Sequence, residues 1–258
     1  MAPTRKNPED AARLLPGSGW EKVASGESDT DVYRRDAVYA KVCAADGTVG
    51  LAEERDRVRW LAETDFPGAR VLDWIDSQHG AVLVTSAVSG VPGWQLPCSP
   101  TLMGNLAAAL RSFHELPVEG CPFERRLEDV LGQVEDVVRR GAVNPDFLSL
   151  EWQQVPPAEL LSRLQTSVPA VQDLVVCHGD ATLANFLFDP QTLAFTGAVD
   201  VGHLGVADRY SDLALTAAQV VNHGWSPSSV SFLTMYGLDD ADDERLVFYL
   251  LLDAMSWG

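Results

Sequence analysis

The feature that most constrains the fold is the segment from Val175 to Phe186, which reads VVCHGDATLANF. Its polar centre lies between two apolar runs, each of the length and composition typical of a buried strand. We therefore expect paired strands that carry a polar loop, with Asp180 and Asn185 five positions apart on that loop. A further carboxylate, Asp200, stands at the end of the next apolar run.

These residue types match the requirements of phosphoryl transfer. A carboxylate has to orient the attacking hydroxyl and accept its proton, and oxygen ligands have to hold the Mg²⁺ that neutralises the phosphates. Asp180 and Asn185 on one loop can face the same metal and phosphate cluster, and Asp200 can complete the coordination.

The pattern His178-Gly179-Asp180 with Asn185, followed by Asp200-Val201-Gly202, resembles the catalytic loop and the metal loop of the aminoglycoside phosphotransferases. That family is similar in fold to the protein kinases. The resemblance implies an α+β fold with two lobes, a small β-rich N-terminal lobe and a larger, mainly helical C-terminal lobe. It also implies that Asp180 is the catalytic base, that Asn185 and Asp200 hold Mg²⁺, and that ATP is the phosphoryl donor.

The pattern along the chain agrees with two lobes. A Gly/Pro-rich stretch at Ser89–Gly93 is the candidate hinge, which predicts an ATP-binding lobe over residues 1–88 and a catalytic and substrate-binding lobe over residues 89–258. The first lobe is predicted to contain short strands at Val32–Lys41 (a hairpin), Ala69–Trp74 and Gly80–Ser86, and a helix at Leu51–Ala62. The helices predicted in the second lobe are Thr101–Leu116, Leu127–Arg140, Pro157–Leu164, Tyr210–Val221 and Asp242–Leu252.

An ATP-binding lobe of this kind needs a lysine on a strand for the phosphates and a helical glutamate that positions it. Of the three lysines in the chain, Lys41 lies between apolar neighbours, where an ammonium group needs a partner. Glu54 on the predicted helix is the expected partner, and Glu53 is its rival.

Other nucleotide contacts follow from the resemblance. Ser28, in the loop of residues 24–29, is expected to cover the phosphates, although an ordinary turn explains that loop equally well. The adenine is expected against the backbone of Ser86 and Val88.

Charge narrows the list of partners. The formal charge is −18, which argues against nucleic acid as a partner because such binders need a basic surface. Residues 144–258 hold 15 Asp and Glu but only three Arg, so this part attracts cations, although a solvated, solubilising surface also explains the same charge. No apolar run is long enough to span a membrane and the N-terminus lacks a signal-peptide core, so we expect a cytoplasmic protein with no membrane partner. We also expect it to be a monomer.

The substrate expected from the resemblance is a cationic aminoglycoside. The segments Cys121–Leu127 and Asn144–Leu148 are similar to those of the branch that phosphorylates the 3''-hydroxyl of streptomycin. Asp253, Asp208 and the carboxylate of Gly258 are the candidate drug ligands, and streptomycin offers two guanidinium groups that pair well with carboxylates.

Some alternatives stay open at this point. A kinase for another basic antibiotic, of the hygromycin or tuberactinomycin type, would use the same catalytic residues. A catalytically silent kinase-like binding protein is the alternative from another class.

The resemblance also implies that Asp212 holds the backbone around His178. His203 is expected to weaken a phosphate contact or to make a local hydrogen bond, and His79, His114 and His223 are expected to be surface or capping residues.

Overall fold

The computed structural model describes residues 12–25, 30–225 and 229–258, which divide into two compact units. The first unit comprises Met1–Gly90 and Thr196–Gly202, and the second comprises Val91–Phe195 and His203–Gly258. The mixed α+β architecture expected from the sequence is confirmed. The predicted lobes at residues 1–88 and 89–258 place the segment Thr196–Gly202 in the second lobe. In the structure this segment groups with the first unit.

The first unit contains a five-stranded antiparallel sheet with one helix on it. Its elements are β1 (Glu21–Ser25), β2 (Thr30–Arg35), β3 (Val38–Ala44), α1 (Thr48–Glu63), β4 (Val71–Ser77) and β5 (Gly80–Ser86). The strand order is β1-β2-β3-β5-β4, so β3 lies in the middle of the sheet. The predicted hairpin is therefore confirmed as β2 and β3, and it is extended by β1, which the sequence analysis did not predict.

Helix α1 packs on one face of this sheet because its apolar residues recur at helical spacing. Leu51, Val58 and Leu61 are its buried residues, and Leu51 packs with Cys43 of β3. Glu54 lies one turn after Leu51 and one turn before Val58, so its side chain is on the same face.

The segment Thr196–Gly202 joins the first unit through its backbone. The Ala198 amide donates a hydrogen bond to the Pro67 carbonyl at 3.0 Å, and Ala198 forms a parallel bridge with Gly68. The segment contains most of β9 (Phe195–Ala198) and ends with Asp200 and the two residues after it. In this way Asp200, remote in sequence, becomes part of the first unit.

The second unit is mainly helical. Its strands are β6 (Val91–Pro92), β7 (Leu174–Cys177), β8 (Phe186–Phe188) and β10 (Gly205–Asp208), with β6 antiparallel to β8 and β7 antiparallel to β10. Its α-helices are α2 (Pro100–His114), α3 (Leu127–Arg140), α4 (Pro157–Thr166), α5 (Tyr210–Asn222), α6 (Ser229–Tyr236) and α7 (Asp243–Ser256). Short 3₁₀ turns occur at Gly93–Gln95, Val118–Gly120 and Pro145–Phe147.

Local capping residues set the ends of two of these helices. Ser99 accepts a hydrogen bond from the Leu102 amide at 3.1 Å and so caps the start of α2, and Gly141 ends α3 in the left-handed conformation. The prediction for Leu127–Arg140 agrees with α3 at both ends. Helix α6 was not predicted, and α7 runs four residues beyond the predicted Leu252.

Two apolar clusters hold the second unit together. One joins α2, α5 and α6 to the loop after β7, through residues such as Leu106, Leu183 and Phe232. The other joins α3, α4 and α7, through residues such as Val134 and Leu160. Among the described residues, no helix is both long enough and apolar enough to cross a membrane.

Candidate active site

The loop after β7 carries the first part of the site. Because β7 ends at Cys177, the next residues leave the sheet and turn back, and the Thr182 amide closes the turn on the Asp180 carbonyl at 2.8 Å. The Asn185 side-chain amide donates to the Asp180 carbonyl at 2.9 Å and to Asp180 Oδ2 at 2.7 Å. The structure therefore brings together Asp180 and Asn185, as the sequence predicted.

A buried carboxylate under this loop fixes its backbone. Asp212 on α5 is 1% exposed and accepts hydrogen bonds from the amides of His178 at 2.7 Å and Gly179 at 2.9 Å. Burial raises the pKa of Asp212, but the hydrogen bonds from His114 and from the Gly179 amide oppose that effect, so the pKa lies below its ordinary value. Asp212 thus stays ionised, and it makes the backbone contact predicted for it.

Gly179 permits a backbone path that no other residue would follow without strain. Its φ is +81°, and a Cβ built there would lie 2.7 Å from the carbonyl carbon of His203. Such a contact is far inside the normal van der Waals distance, and the backbone of His203 cannot rotate away.

Replacing Gly179 with alanine should therefore displace the loop that holds Asp180. We expect a loss of about 3 kcal/mol or more in the free energy of unfolding, together with a large fall in turnover. Gly141→Ala is the matched control, since Gly141 also has a positive φ (+66°) but nothing within 4 Å of its built Cβ. That control should cost about 1 kcal/mol and no activity. Chemical denaturation and steady-state kinetics measure both effects, and equal losses in the two variants would contradict the steric argument.

The first unit carries the second part of the site. Lys41 Nζ lies 2.7 Å from Glu54 Oε1 and 2.7 Å from Asp200 Oδ1. Glu53, the rival partner, is instead paired with Arg57 at 3.2 Å on the outer side of α1. Asp200 adopts a left-handed backbone conformation with φ of +59°, which is uncommon for a residue that is not glycine.

The electrostatics of this cluster follow from its burial and its charges. Burial lowers the pKa of Lys41, but Glu54 and Asp200 outweigh that effect, so its pKa lies above the ordinary value. Burial raises the pKa of Glu54 more than Lys41 lowers it. Lys41 is thus a permanent cation, and Glu54 depends on it to remain ionised.

The predicted adenine contacts lie at the end of β5. The Ser86 amide donates to the Arg70 carbonyl at 2.9 Å, and the Ala87 amide donates to the Ala37 carbonyl at 2.8 Å. The Val88 amide makes no hydrogen bond to any residue in the described part of the chain. It is the donor that an adenine ring could use. Ser28 lies outside the described residues.

The drug ligands predicted on the second unit are placed in different ways. Asp253 on α7 is half-buried and accepts a hydrogen bond from Trp257 Nε1 at 3.4 Å. Burial raises its pKa to about 6, Arg125 opposes that shift and Asp180 adds to it. Asp253 is thus within electrostatic reach of Asp180. The Gly258 carbonyl oxygen accepts from Arg140 Nη2 at 3.2 Å, and its part in drug binding stays a prediction.

Asp208 has a structural environment that the sequence analysis did not anticipate. Its side chain is fully buried, and its two oxygens accept from Arg245 Nη2 at 2.7 and 2.6 Å. The Tyr249 hydroxyl and the Tyr210 amide also donate to it, at 2.9 and 3.1 Å. The structure thus uses Asp208 to join β10 to α5 and α7, and it does not bring this carboxylate to the site.

The expectation that His114 is a surface or capping residue is wrong. His114 is 6% exposed, and its Nε2 lies 3.1 Å from Asp212 Oδ2. The sequence contained a signal for this, because His114 falls four and seven positions after the buried residues Leu110 and Ala107 of α2. His203 stacks edge to face on Trp257 with ring centres 4.8 Å apart, which places it beside the helix that carries Asp253.

The described residues suit a magnesium ion in their chemistry. Mg²⁺ prefers oxygen ligands, and carboxylate and amide oxygens are what Asp200 and Asn185 offer. The amide nitrogen of Asn185 is already directed at Asp180, so its Oδ1 faces away from that hydrogen bond.

Comparison with known proteins extends these observations. A sequence profile described as the phosphotransferase enzyme family matches residues 19–249. The chain is 44% identical over 257 residues to a streptomycin 3''-kinase of Streptomyces griseus, with 94% of both chains covered. It is 36% identical over 258 residues to an aminoglycoside 3'-phosphotransferase of Streptomyces fradiae, with 93% of this chain and 96% of the relative covered.

Solved structures give the same result. An aminoglycoside phosphotransferase from Streptomyces rimosus superimposes with a TM-score of 0.89, at 43% identity and with 97% of both chains covered. The structure of that protein in complex with ADP and streptomycin has a TM-score of 0.87 at 42% identity, again with 97% of both chains covered.

Proposed function

This chain belongs to the phosphotransferase enzyme family, and we propose that it transfers the γ-phosphoryl group of ATP to the 3''-hydroxyl of streptomycin and so confers resistance. The observation that carries the choice of substrate is the 44% identity, over 94% of the chain, to a streptomycin 3''-kinase. The use of an adenine nucleotide is supported by the similar protein that binds ADP together with streptomycin.

Asp180 is the proposed catalytic base. Its carboxylate orients the drug hydroxyl towards the γ-phosphorus and accepts the hydroxyl proton as the new bond forms. The hydrogen bond from Asn185 and the anchoring of the loop on Asp212 hold Asp180 in one position before the substrate arrives. This preorganisation is worth a large part of the rate, because a displacement of about 1 Å costs about 10²-fold.

Lys41 is the proposed ligand of the nucleotide phosphates, and Glu54 holds it in place. Asn185 and Asp200 are the proposed Mg²⁺ ligands. When bound with the nucleotide, Mg²⁺ neutralises the phosphate oxygens and favours in-line displacement. Ser28 and the backbone of Ser86 and Val88 remain the proposed contacts to the phosphates and the adenine.

Drug recognition is proposed to be electrostatic. Asp253 is the primary candidate, because a guanidinium group can donate two parallel hydrogen bonds to a carboxylate. Gly258 stays a secondary candidate. The carboxylate of Asp208 is already paired with Arg245, so it is not included in the proposed site.

Because ATP is the donor, we place the reaction in the cytoplasm. We also propose that a monomer is active, which analytical ultracentrifugation of the working enzyme tests.

The test is phosphoryl transfer from ATP and Mg²⁺ to streptomycin, kanamycin, hygromycin and capreomycin, with the products read by mass spectrometry. One added phosphoryl group on streptomycin, assigned to the 3''-oxygen by NMR, supports the proposal. Transfer to hygromycin or to the tuberactinomycin peptide capreomycin would keep the mechanism and overturn the substrate. ATP binding with no product would favour the silent binding protein.

The electrostatic proposal predicts a dependence on salt. The KM for streptomycin should rise steeply with ionic strength, because salt screens the attraction between the cationic drug and the acidic second unit. ATP and magnesium are kept saturating throughout. A flat salt profile for streptomycin would count against recognition by charge.

If Asp253 binds the drug, kcat/KM for streptomycin should depend on pH. Because its pKa is about 6 in the free protein, its charge is lost as the pH falls through that value, and kcat/KM for streptomycin should fall with it. Asp253→Asn should have a low kcat/KM at neutral pH and lack this titration. The folded state binds the Asp253 proton more tightly than the unfolded chain, so ionisation costs stability as the pH rises through about 6. The asparagine variant should accordingly be at least as stable as the wild type at neutral pH.

Asp240→Asn is the matched control, since it removes one exposed charge from the same unit. Its kcat/KM profile should follow that of the wild type. If Asp253→Asn keeps the acid limb of the profile, that limb belongs to another group and Asp253 is not a drug ligand.

A further inference from the structure

A chain of hydrogen bonds runs from the surface of the second unit to the loop that holds Asp180. Arg209 Nη1 lies 3.2 Å from the Tyr236 hydroxyl, which lies 2.7 Å from His114 Nδ1. His114 Nε2 lies 3.1 Å from Asp212 Oδ2, the oxygen that also accepts from the His178 amide. Elements far apart in sequence are thereby joined: α2, the start of α5 and the end of α6.

The chemistry of the donors gives this chain a direction. An arginine can only donate, so the Tyr236 oxygen accepts from Arg209. Burial raises the pKa of Tyr236 to about 12, so the phenol keeps its single proton, and that proton is directed to His114 Nδ1. Nδ1 is then the acceptor nitrogen of the ring, and the ring proton is on Nε2, directed at Asp212.

Burial favours this arrangement over the opposite tautomer. His114 and Asp212 are almost completely buried, so a polar atom without a partner would carry a free-energy cost. In the opposite tautomer, Nε2 and the Asp212 carboxylate would face each other as two acceptors. Tyr236 thus selects the tautomer in which His114 donates to the carboxylate under the catalytic loop.

We propose that His114, held by Tyr236 in its Nε2–H tautomer, is a positioning residue that fixes the catalytic loop through Asp212. This inference rests on the proposed function, because the activity it serves is phosphoryl transfer by Asp180. His114 touches neither substrate nor nucleotide in this role. It restricts the rotation of the Asp212 carboxylate, whose oxygens accept from the two consecutive peptide groups that flank His178.

The kinetic test compares two substitutions at the same position. His114→Leu removes the donor and keeps most of the volume, and we expect kcat to fall by about 10- to 100-fold with both KM values within about twofold. His114→Gln places an amide donor near the position of Nε2 and should recover most of the lost kcat. His223→Leu is the control, because His223 is exposed and contacts only the Gln219 carbonyl of its own helix in the interactions described for it. Equal losses in the leucine and glutamine variants would overturn the proposal.

A double-mutant cycle tests whether Tyr236 acts through His114 in this chain of hydrogen bonds. Tyr236→Phe should lower kcat by several-fold in the wild-type background and have no further effect in His114→Leu, because Tyr236 acts through His114. Independent, multiplicative effects of the two substitutions would contradict that order.

NMR provides a readout that does not need turnover. Two-bond ¹H–¹⁵N correlations should show His114 protonated on Nε2 in the wild type, and Tyr236→Phe should introduce the other tautomer. The amide resonances of His178 and Gly179 should move in His114→Leu. A wild-type chain that phosphorylates no aminoglycoside would refute the proposed function alone, whereas an Nδ1–H tautomer or unmoved amides would refute the positioning role alone.

Discussion

Asp180→Asn is expected to lower kcat for streptomycin phosphorylation by about 10³-fold, within the range of 10²- to 10⁴-fold that general-base catalysis supplies. The substitution keeps the size and shape of the side chain but removes its ability to accept the hydroxyl proton. The backbone contacts to Thr182 and Asn185 do not depend on the carboxylate, so the loop should keep its conformation. Binding of ATP and Mg²⁺ should change little.

Three measurements separate this prediction from a folding defect. Calorimetric titration gives the ATP affinity, thermal unfolding gives the stability, and single-turnover kinetics give the chemical step. Asp189→Asn is the matched control, because Asp189 is an aspartate beyond the same loop that only caps an exposed turn through Gln191 and Thr192. A rate for Asp180→Asn close to that of the wild type would show that Asp180 is not the catalytic base and would refute the proposed mechanism.

The parts of the fold that were predictable from the sequence are those set by local patterns. The prediction of helix α3 agrees with the structure at both ends, which are set locally because its apolar residues recur at helical spacing and Gly141 stops it. The pair Lys41 and Glu54 was predictable for a similar reason, since a charged group among buried strand residues needs a partner and the helix that follows provides one.

The parts that were missed depend on contacts between residues distant in sequence. Asp208 is an acidic residue in an acidic segment, and nothing nearby shows that Arg245, 37 positions later, will neutralise it. His114 and Asp212 are 98 positions apart, so the sequence does not show their contact although helical spacing places His114 on the buried face. Helix α6 was missed because its first residues follow a Ser/Pro-rich stretch, which favours a loop.

The second large effect is expected from Lys41→Met, which should lower kcat/KM for ATP by about 10²- to 10³-fold, the cost of removing one preorganised charge from a phosphoryl-transfer site. The same substitution should also destabilise the first unit. Burial already raises the pKa of Glu54, and the loss of Lys41 removes the nearest opposing charge from both Glu54 and Asp200. Glu54 should then take up a proton at a higher pH than in the wild type. Because its protonated form is the better tolerated one in the folded state, the difference in stability should shrink as the pH falls.

Two further variants distinguish the effect of losing Lys41 from the effect of losing any lysine of the first unit. Lys22→Met removes another of the three lysines, one that pairs with Asp31 at 2.8 Å on the neighbouring strands β1 and β2, and it should leave activity unchanged. The double variant Lys41→Met with Glu54→Gln should recover stability, because the buried carboxylate no longer lacks its cation, but it should recover no activity. If the double variant regains both, Lys41 acts only by neutralising Glu54. If it regains stability alone, Lys41 has a second role during turnover, which is the result expected if Lys41 holds the phosphates of the nucleotide as proposed.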